Sequence, residues 1–151
     1  MSASGPAAPF VDSYLAFLLA KASHLISSGF HARLRERGIS IGTWRILAVL
    51  SDGPRTVSEL ADRVLLNQPT MSKTLDRLAA DGLLRRRREQ DNRRVVLIEL
   101  TPQGRELAAS LVPLANQHER EAFAHLSDTD RQRLVSILQA TIARHREDGG
   151  G

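Results

Sequence analysis

The sequence predicts a mainly α-helical protein carrying one small β-hairpin, and three observations lead there. Apolar residues recur at intervals of three and four over most of the chain, the spacing of helices with one buried face. That spacing breaks at RRRREQDNRRVVLIEL, residues 85–100, where a polar tip separates two short extended runs. Ser40, Thr56, Asn67, Thr101 and Ser127 stand at the heads of helical stretches, where a side-chain oxygen can satisfy an orphan backbone amide.

The elements follow in order. Residues 1–9, small residues and prolines, read as a loose arm. From Phe10 to about Arg37 the apolar positions Tyr14, Leu15, Leu18, Leu19, Ala22, Leu25, Ile26, Phe30 and Leu34 predict a long helix that Gly38 stops. Ser40 caps a second helix, Ile41 to Leu50, with Trp44, Leu47, Ala48 and Leu50 expected on its buried face. Ser51-Asp52-Gly53-Pro54 is a turn. Thr56-Val57-Ser58-Glu59 has the capping-box form and opens a short helix ending at Val64 or Leu65. Asn67 caps the next, which tolerates Pro69 because first-turn amides lack helical partners. Its apolar stripe is Met71, Leu75 and Leu78, and its outer face carries Gln68, Thr70, Ser72, Lys73 and Arg77, all able to donate to a base edge or a phosphate.

Gly82 ends that helix. Leu83 to Arg88 reads as a strand, Glu89 to Asn92 as a turn, and Arg93 to Leu100 as a returning strand rich in β-branched residues. Two short helices joined by a tight turn, with a hairpin directly behind them, make a winged helix-turn-helix over 38–100. The candidate DNA-binding residues are Gln68, Pro69, Thr70, Ser72, Lys73 and Arg77 of the second short helix, with Arg93 and Arg94 of the wing. Residues 85–94 hold six arginines against Glu89 and Asp91, a candidate phosphate-facing segment. Alternation along a strand lets only some of Arg85 to Arg88 face a duplex. Arg93 and Arg94, beside the tip, are better placed for a minor groove, and Asp91 is expected to accept an arginine's hydrogen bonds and hold the tip in shape. The competing reading of the charge run is an ordinary solvated surface.

Thr101 and Pro102 open a further helix carrying Leu107, Leu111, Leu114 and Phe123, with a bend expected at Pro113. Ser127-Asp128-Thr129-Asp130 begins the last helix, with Leu134, Ile137, Leu138 and Ile142 on one face, and residues 147–151 should fray. The helices at 10–37 and 101–146 have more apolar faces than one small winged domain can cover, so pairing with a second copy is the economical solution.

Composition bounds the function. The 151 residues suffice for one domain with a real core, and 42% apolar with 25% charged residues is ordinary for a globular chain. No apolar run approaches the roughly 18 residues that cross a bilayer, and the amino end lacks a signal-peptide pattern, so a cytoplasmic location without membrane contact is expected. The absence of cysteine removes disulfides, thiolate metal sites and thiol sensing. The net charge of +4 and a pI near 10.6 suit a polyanionic partner. No Gly-rich phosphate loop or nucleophile motif accompanies the five histidines, so no enzyme and no cofactor is expected. His24 and His31, like His118 and His125, lie seven apart, about 10 Å along a helix, too far for one metal ion.

Thr43-Trp44-Arg45-Ile46-Leu47, Ser58-Glu59-Leu60-Ala61, Asp76-Arg77-Leu78 with Gly82-Leu83-Leu84, and the acidic-then-arginine wing followed by Leu100-Thr101-Pro102-Gln103-Gly104 together resemble the MarR family of winged helix-turn-helix transcription regulators. Order and spacing match from about Phe10 to His145. The chain departs from the family pattern twice. Asp91 to Thr101 is one residue longer than usual, so either the wing carries an insertion or Asn92 replaces the acid and Arg94 is the matching arginine. Leu65 stands where glycine is common, and tighter packing is expected there.

The resemblance implies a homodimeric regulator of double-stranded DNA, most often a repressor, reading a pseudo-palindromic operator. It also implies a small, often aromatic and acidic effector held between the dimer helices and the winged domain. Ser23, His24, Ser27, Ser28, Trp44 and Arg45 lie in the corresponding region. His24 and Arg45 can neutralise a carboxylate and Trp44 can stack on a ring, while the alternative makes Trp44 ordinary core and Arg45 a phosphate or surface contact. A protein-interaction module or a nonspecific architectural DNA binder is the second functional reading.

Overall fold

The structure, a computed structural model, describes residues 8–148. After a single 3-10 turn at Phe10–Asp12, the order is α1 (Leu15–Arg35), α2 (Ile41–Ser51), α3 (Val57–Val64), α4 (Gln68–Ala80), β1 (Leu84–Arg88), β2 (Val96–Leu100), α5 (Pro102–Ala122) and α6 (Asp128–Asp148). The chain divides into two compact units, one running to Ala115 and the other from Asn116.

Capping chemistry places the helix starts where the sequence puts them. Thr43 N donates to Ser40 Oγ at 3.1 Å, and Thr70 N donates to Asn67 Oδ1 at 2.9 Å. The capping box at α3 is complete: Glu59 N donates to Thr56 Oγ1 at 3.2 Å while Thr56 N donates to Glu59 Oε2 at 2.7 Å. Thr101 Oγ1 accepts from Gly104 N at 3.1 Å and donates to the Gly82 carbonyl at 2.6 Å, tying the start of α5 to the base of the hairpin. Gly104 is required at that crossing, because a Cβ there would collide with the Leu83 carbonyl oxygen.

The core of the first unit gathers one stripe from each element: Phe30 and Leu34 of α1, Ile46, Leu47 and Leu50 of α2, Leu60 and Val64 of α3, Met71, Leu75 and Leu78 of α4, Leu84, Ile98 and Leu100 of the hairpin, and Ala108 and Leu111 of α5. The strands pair antiparallel from Leu84↔Leu100 to Arg88↔Val96, and Arg55 exchanges both backbone bonds with Ile98 on the other edge of β2.

Several expectations are corrected. The buried face of α2 is Gly42, Thr43, Ile46, Leu47 and Leu50; Trp44 and Ala48 are half-buried, because α2 turns its Ile46 side into the core. The first helix begins at Leu15 rather than Phe10. Leu65 tightens nothing: it stands in the left-handed region at φ 58° with 78% of its surface exposed, serving as the turn residue after α3. The returning strand begins at Val96 rather than Arg93, so Arg93 and Arg94 sit in the hairpin tip. Helix α5 continues through Pro113 and closes at Ala122, one residue before Phe123. Of the expected loose arm at 1–9, residues 1–7 lie outside the described residues; of the tail, Glu147 and Asp148 belong to α6 and 149–151 lie outside.

In the second unit, none of the α6 residues whose side chains are described is buried: Leu134 and Leu138 are half-buried and Ile137 and Ile142 are exposed. Ser127 caps it, accepting from Asp130 N at 3.1 Å, and Arg131 pairs with Glu119 at 3.2 Å. On α1 only Phe30 and Leu34 are buried; Tyr14, Leu15, Leu19 and Leu25 stand exposed.

Candidate nucleic-acid interface and effector region

With Met71, Leu75 and Leu78 turned into the core, α4 presents Gln68, Pro69, Thr70, Ser72 and Lys73 to solvent. Arg77 is exposed as well, but its Nη2 donates to Thr43 Oγ1 at 3.0 Å, and Thr43 is itself buried and receives Ser40 Oγ at 3.0 Å. Arg77 therefore anchors α4 to α2 while its remaining donors stay available. Asp76, one residue before it, receives Arg86 Nη2 of β1 at 2.8 Å.

The four consecutive arginines divide three structural tasks among them. Alternation puts Arg85 and Arg87 on the face of Glu99, where Arg85 Nε meets Oε1 at 2.7 Å and Arg87 Nε meets Oε2 at 2.9 Å. Those two bonds hold Glu99 below the usual carboxylate range, the Arg87 hydrogen bond contributing most and burial opposing it. Arg86 faces the other way and reaches Asp76, while Arg88 Nη1 donates to the Arg93 carbonyl at 2.8 Å. The run braces the wing from within.

The tip is held by Asn92 and Arg88, not by Asp91. Arg94 N donates to Asn92 Oδ1 at 3.2 Å, Val95 N to the Asn92 carbonyl at 2.9 Å, and Glu89 N to the Val95 carbonyl at 3.0 Å. Asparagine at this corner folds its side chain onto the backbone two residues on, which aspartate one position earlier is not placed to do. Arg93 and Arg94 are exposed at the apex.

The effector region is less assembled. Ser23, His24 and Ser28 are exposed, Ser27 is half-buried, and Ser28 Oγ donates to the His24 carbonyl at 2.7 Å, a local bond along α1. Trp44 packs edge-on against Phe30 with ring centres 5.8 Å apart, so it is partly core, and Arg45 is half-buried. Sequence reasoning missed His31. Its Nε2 is buried without a hydrogen-bond partner, and its pKa is pushed below the ordinary histidine value by burial first, then by Arg45, Arg35 and His24. The seven-residue spacing from His24 was the available signal, since it places both rings on one face of α1.

Comparison with known proteins agrees with this architecture. The model of the MarR family matches residues 37–95. A MarR family transcriptional regulator of Silicibacter pomeroyi DSS-3 is 35% identical, superimposes with a TM-score of 0.78, and shares 90% of this chain and 98% of its own. BpsR of Bordetella bronchiseptica, whose DNA binding is regulated by 6-hydroxynicotinic acid, is 27% identical with a TM-score of 0.76, over 91% of this chain and 97% of its own. The transcriptional repressor YetL of Bacillus subtilis is 30% identical over 68% of this chain, which spans 63% of YetL's length. The chain belongs to the MarR family. It is a winged helix-turn-helix transcriptional regulator, of a family that regulates genes and does not catalyse reactions. Among the described residues no helix is long and apolar enough to cross a membrane.

Proposed function

We propose that the chain acts in the cytoplasm as a homodimeric repressor that holds a pseudo-palindromic operator and releases it when a small aromatic acid binds. The observation that carries this reading is the exposed, hydrogen-bonding face of α4 beside a wing tip bearing Arg93 and Arg94. Gln68, Pro69, Thr70, Ser72, Lys73 and Arg77 face the major groove in this reading, and one of Arg93 and Arg94 enters the adjacent minor groove. Residues 38–100 then form the DNA-binding region, and 10–37 with 101–146 the dimerisation region. The exposure of Leu15, Leu19, Leu25, Ile137 and Ile142 supports a second copy as their cover. For the effector, Arg45 supplies a cation, His24 an imidazole that can pair with a carboxylate, Ser23, Ser27 and Ser28 hydroxyls, and Trp44 an aromatic ring. The regulation of BpsR by 6-hydroxynicotinic acid, a hydroxylated pyridine carboxylate, supports an acid of that kind.

The test combines binding-site selection from random duplexes with light scattering and an effector panel of hydroxylated benzoates and pyridine carboxylates. A dimer that prefers the selected palindrome over scrambled DNA and releases it with one panel member is expected, and His24→Ala should blunt the release without weakening binding in the absence of effector. Equal affinity for both duplexes would instead make the chain an architectural binder. Removing residues 127–151 should abolish operator binding, because each half-site alone lacks the second recognition helix and wing.

A further inference from the structure

Asp76 is out of place on a DNA-binding helix. It follows Ser72 by four residues and Lys73 by three, which sets it on the solvent face one turn further along α4, away from the buried Met71, Leu75 and Leu78. A carboxylate there repels the phosphates that the neighbouring cations attract. Its side chain keeps 70% of its surface exposed, yet Oδ1 is fixed by Arg86 Nη2 at 2.8 Å, leaving Oδ2 open. Arg86 is held in turn by its strand, whose opposite face is clamped through Arg85 and Arg87 to Glu99. The charge of Asp76 is thus locally neutralised while one acceptor oxygen stays accessible on a braced side chain. An exposed ion pair adds little stability, so a structural latch alone is a weak reason for this arrangement.

We infer that Asp76 is a base-reading residue whose carboxylate, positioned by Arg86, accepts a hydrogen bond from the exocyclic amino group of a cytosine in the major groove. The inference rests on the reading of α4 as the helix that enters the groove. Carboxylates are matched to the cytosine amino group, whereas guanine and thymine present carbonyl oxygens at the equivalent edge and repel a negative acceptor. The three-residue step from Lys73 spans about 4.5 Å of helix, close to the roughly 3.4 Å between stacked base pairs, so Lys73 and Asp76 address neighbouring pairs. A cation and a carboxylate in series favour a guanine followed by a cytosine, since lysine donates to guanine O6 and N7.

The experiment is binding-site selection from random duplexes with the full chain and its variants Asp76→Ala, Asp76→Asn, Arg86→Lys and Arg86→Met, with thermal melting of each as a folding control. The wild-type chain should select a cytosine at one position of each half-site. Asp76→Ala should lose that preference by roughly 5- to 150-fold and keep the others, and the near-isosteric Asp76→Asn should shift it toward adenine, the base asparagine matches. Arg86→Lys should retain the cytosine and Arg86→Met should weaken it. Identical selected sequences for wild type and both Asp76 variants would overturn the assignment while leaving the regulator reading standing. Failure of the wild-type chain to enrich any sequence would overturn both.

Discussion

Arg87 donates from Nε to Glu99 Oε2 at 2.9 Å across the wing hairpin, and Arg85 takes the other oxygen of the same carboxylate, whose residue keeps only 6% of its surface exposed. A buried carboxylate with two cationic donors tolerates the loss of one far better than the loss of both. Arg85→Ala and Arg87→Ala should each cost about 1 kcal/mol, and the double variant clearly more than the sum, about 3 kcal/mol. Urea melts of the four proteins in the cycle measure this; strict additivity would show that the two arginines are not coupled through Glu99.

The acid limb of stability should have two separable steps. His31 is depressed below its usual 6.5, so under acid the unfolded chain binds a proton that the folded chain resists; stability falls as pH drops from about 6.5 to the lower folded value and is flat beneath it. Glu99 is depressed below its usual 4.5, so its contribution is complete above 4.5 and is lost as pH falls through its folded value. Melting temperature against pH should lose the upper step in His31→Gln and the lower in Glu99→Gln. Unchanged profiles would remove both residues from the account.

Replacing Lys73 or Gln68 with alanine should weaken operator binding more than binding to scrambled DNA, by about 1 to 3 kcal/mol where the side chain makes a bidentate pair of hydrogen bonds to a base. An equal weakening on both duplexes would assign that residue to the phosphate backbone.

At the wing tip, Arg93→Ala and Arg94→Ala should weaken binding unequally, the groove-inserted residue also lowering the salt slope by about one unit for each phosphate it neutralises. Because Arg88 holds the Arg93 carbonyl at 2.8 Å, Arg88→Ala should reproduce much of the larger effect by loosening the tip. Silence of both tip variants, with Arg86→Ala weakening operator and scrambled DNA alike, would mean that the hairpin docks by its strand face.

Leu65 occupies a left-handed turn position with its side chain in solvent, so Leu65→Gly should relieve about 1 to 2 kcal/mol of backbone strain against roughly 0.5 to 1 kcal/mol of added chain entropy. A net stabilisation of about 0.5 kcal/mol in chemical denaturation is expected from that difference, with DNA affinity unchanged. Destabilisation would show that the added chain entropy outweighs the relieved strain.

Features that depend on near neighbours in the chain were legible without the folded structure. Helix starts can be read because Ser40, Thr56 and Asn67 act on amides three residues away. The Met71, Leu75 and Leu78 stripe can be read because helix geometry repeats within one turn, and the hairpin because its β-branched run and polar tip are local. From these, and the motifs they carry, the winged fold and the family followed. Which charges are free to act emerged only on folding. Arg77 reaches Thr43 across 34 residues, Arg85 reaches Glu99 across 14, and Arg86 reaches Asp76 across 10. A guanidinium at the end of a long side chain can take any of several partners, and sequence spacing carries no record of the choice. The same holds in part for His31: Arg35 and His24 lie on its own helix, but the burial of its unpaired Nε2 and the approach of Arg45 from α2 arise only on folding. Periodicity identifies which face of a helix turns inward; only the folded chain fixes which polar groups meet there, because those meetings depend on the packing of whole elements.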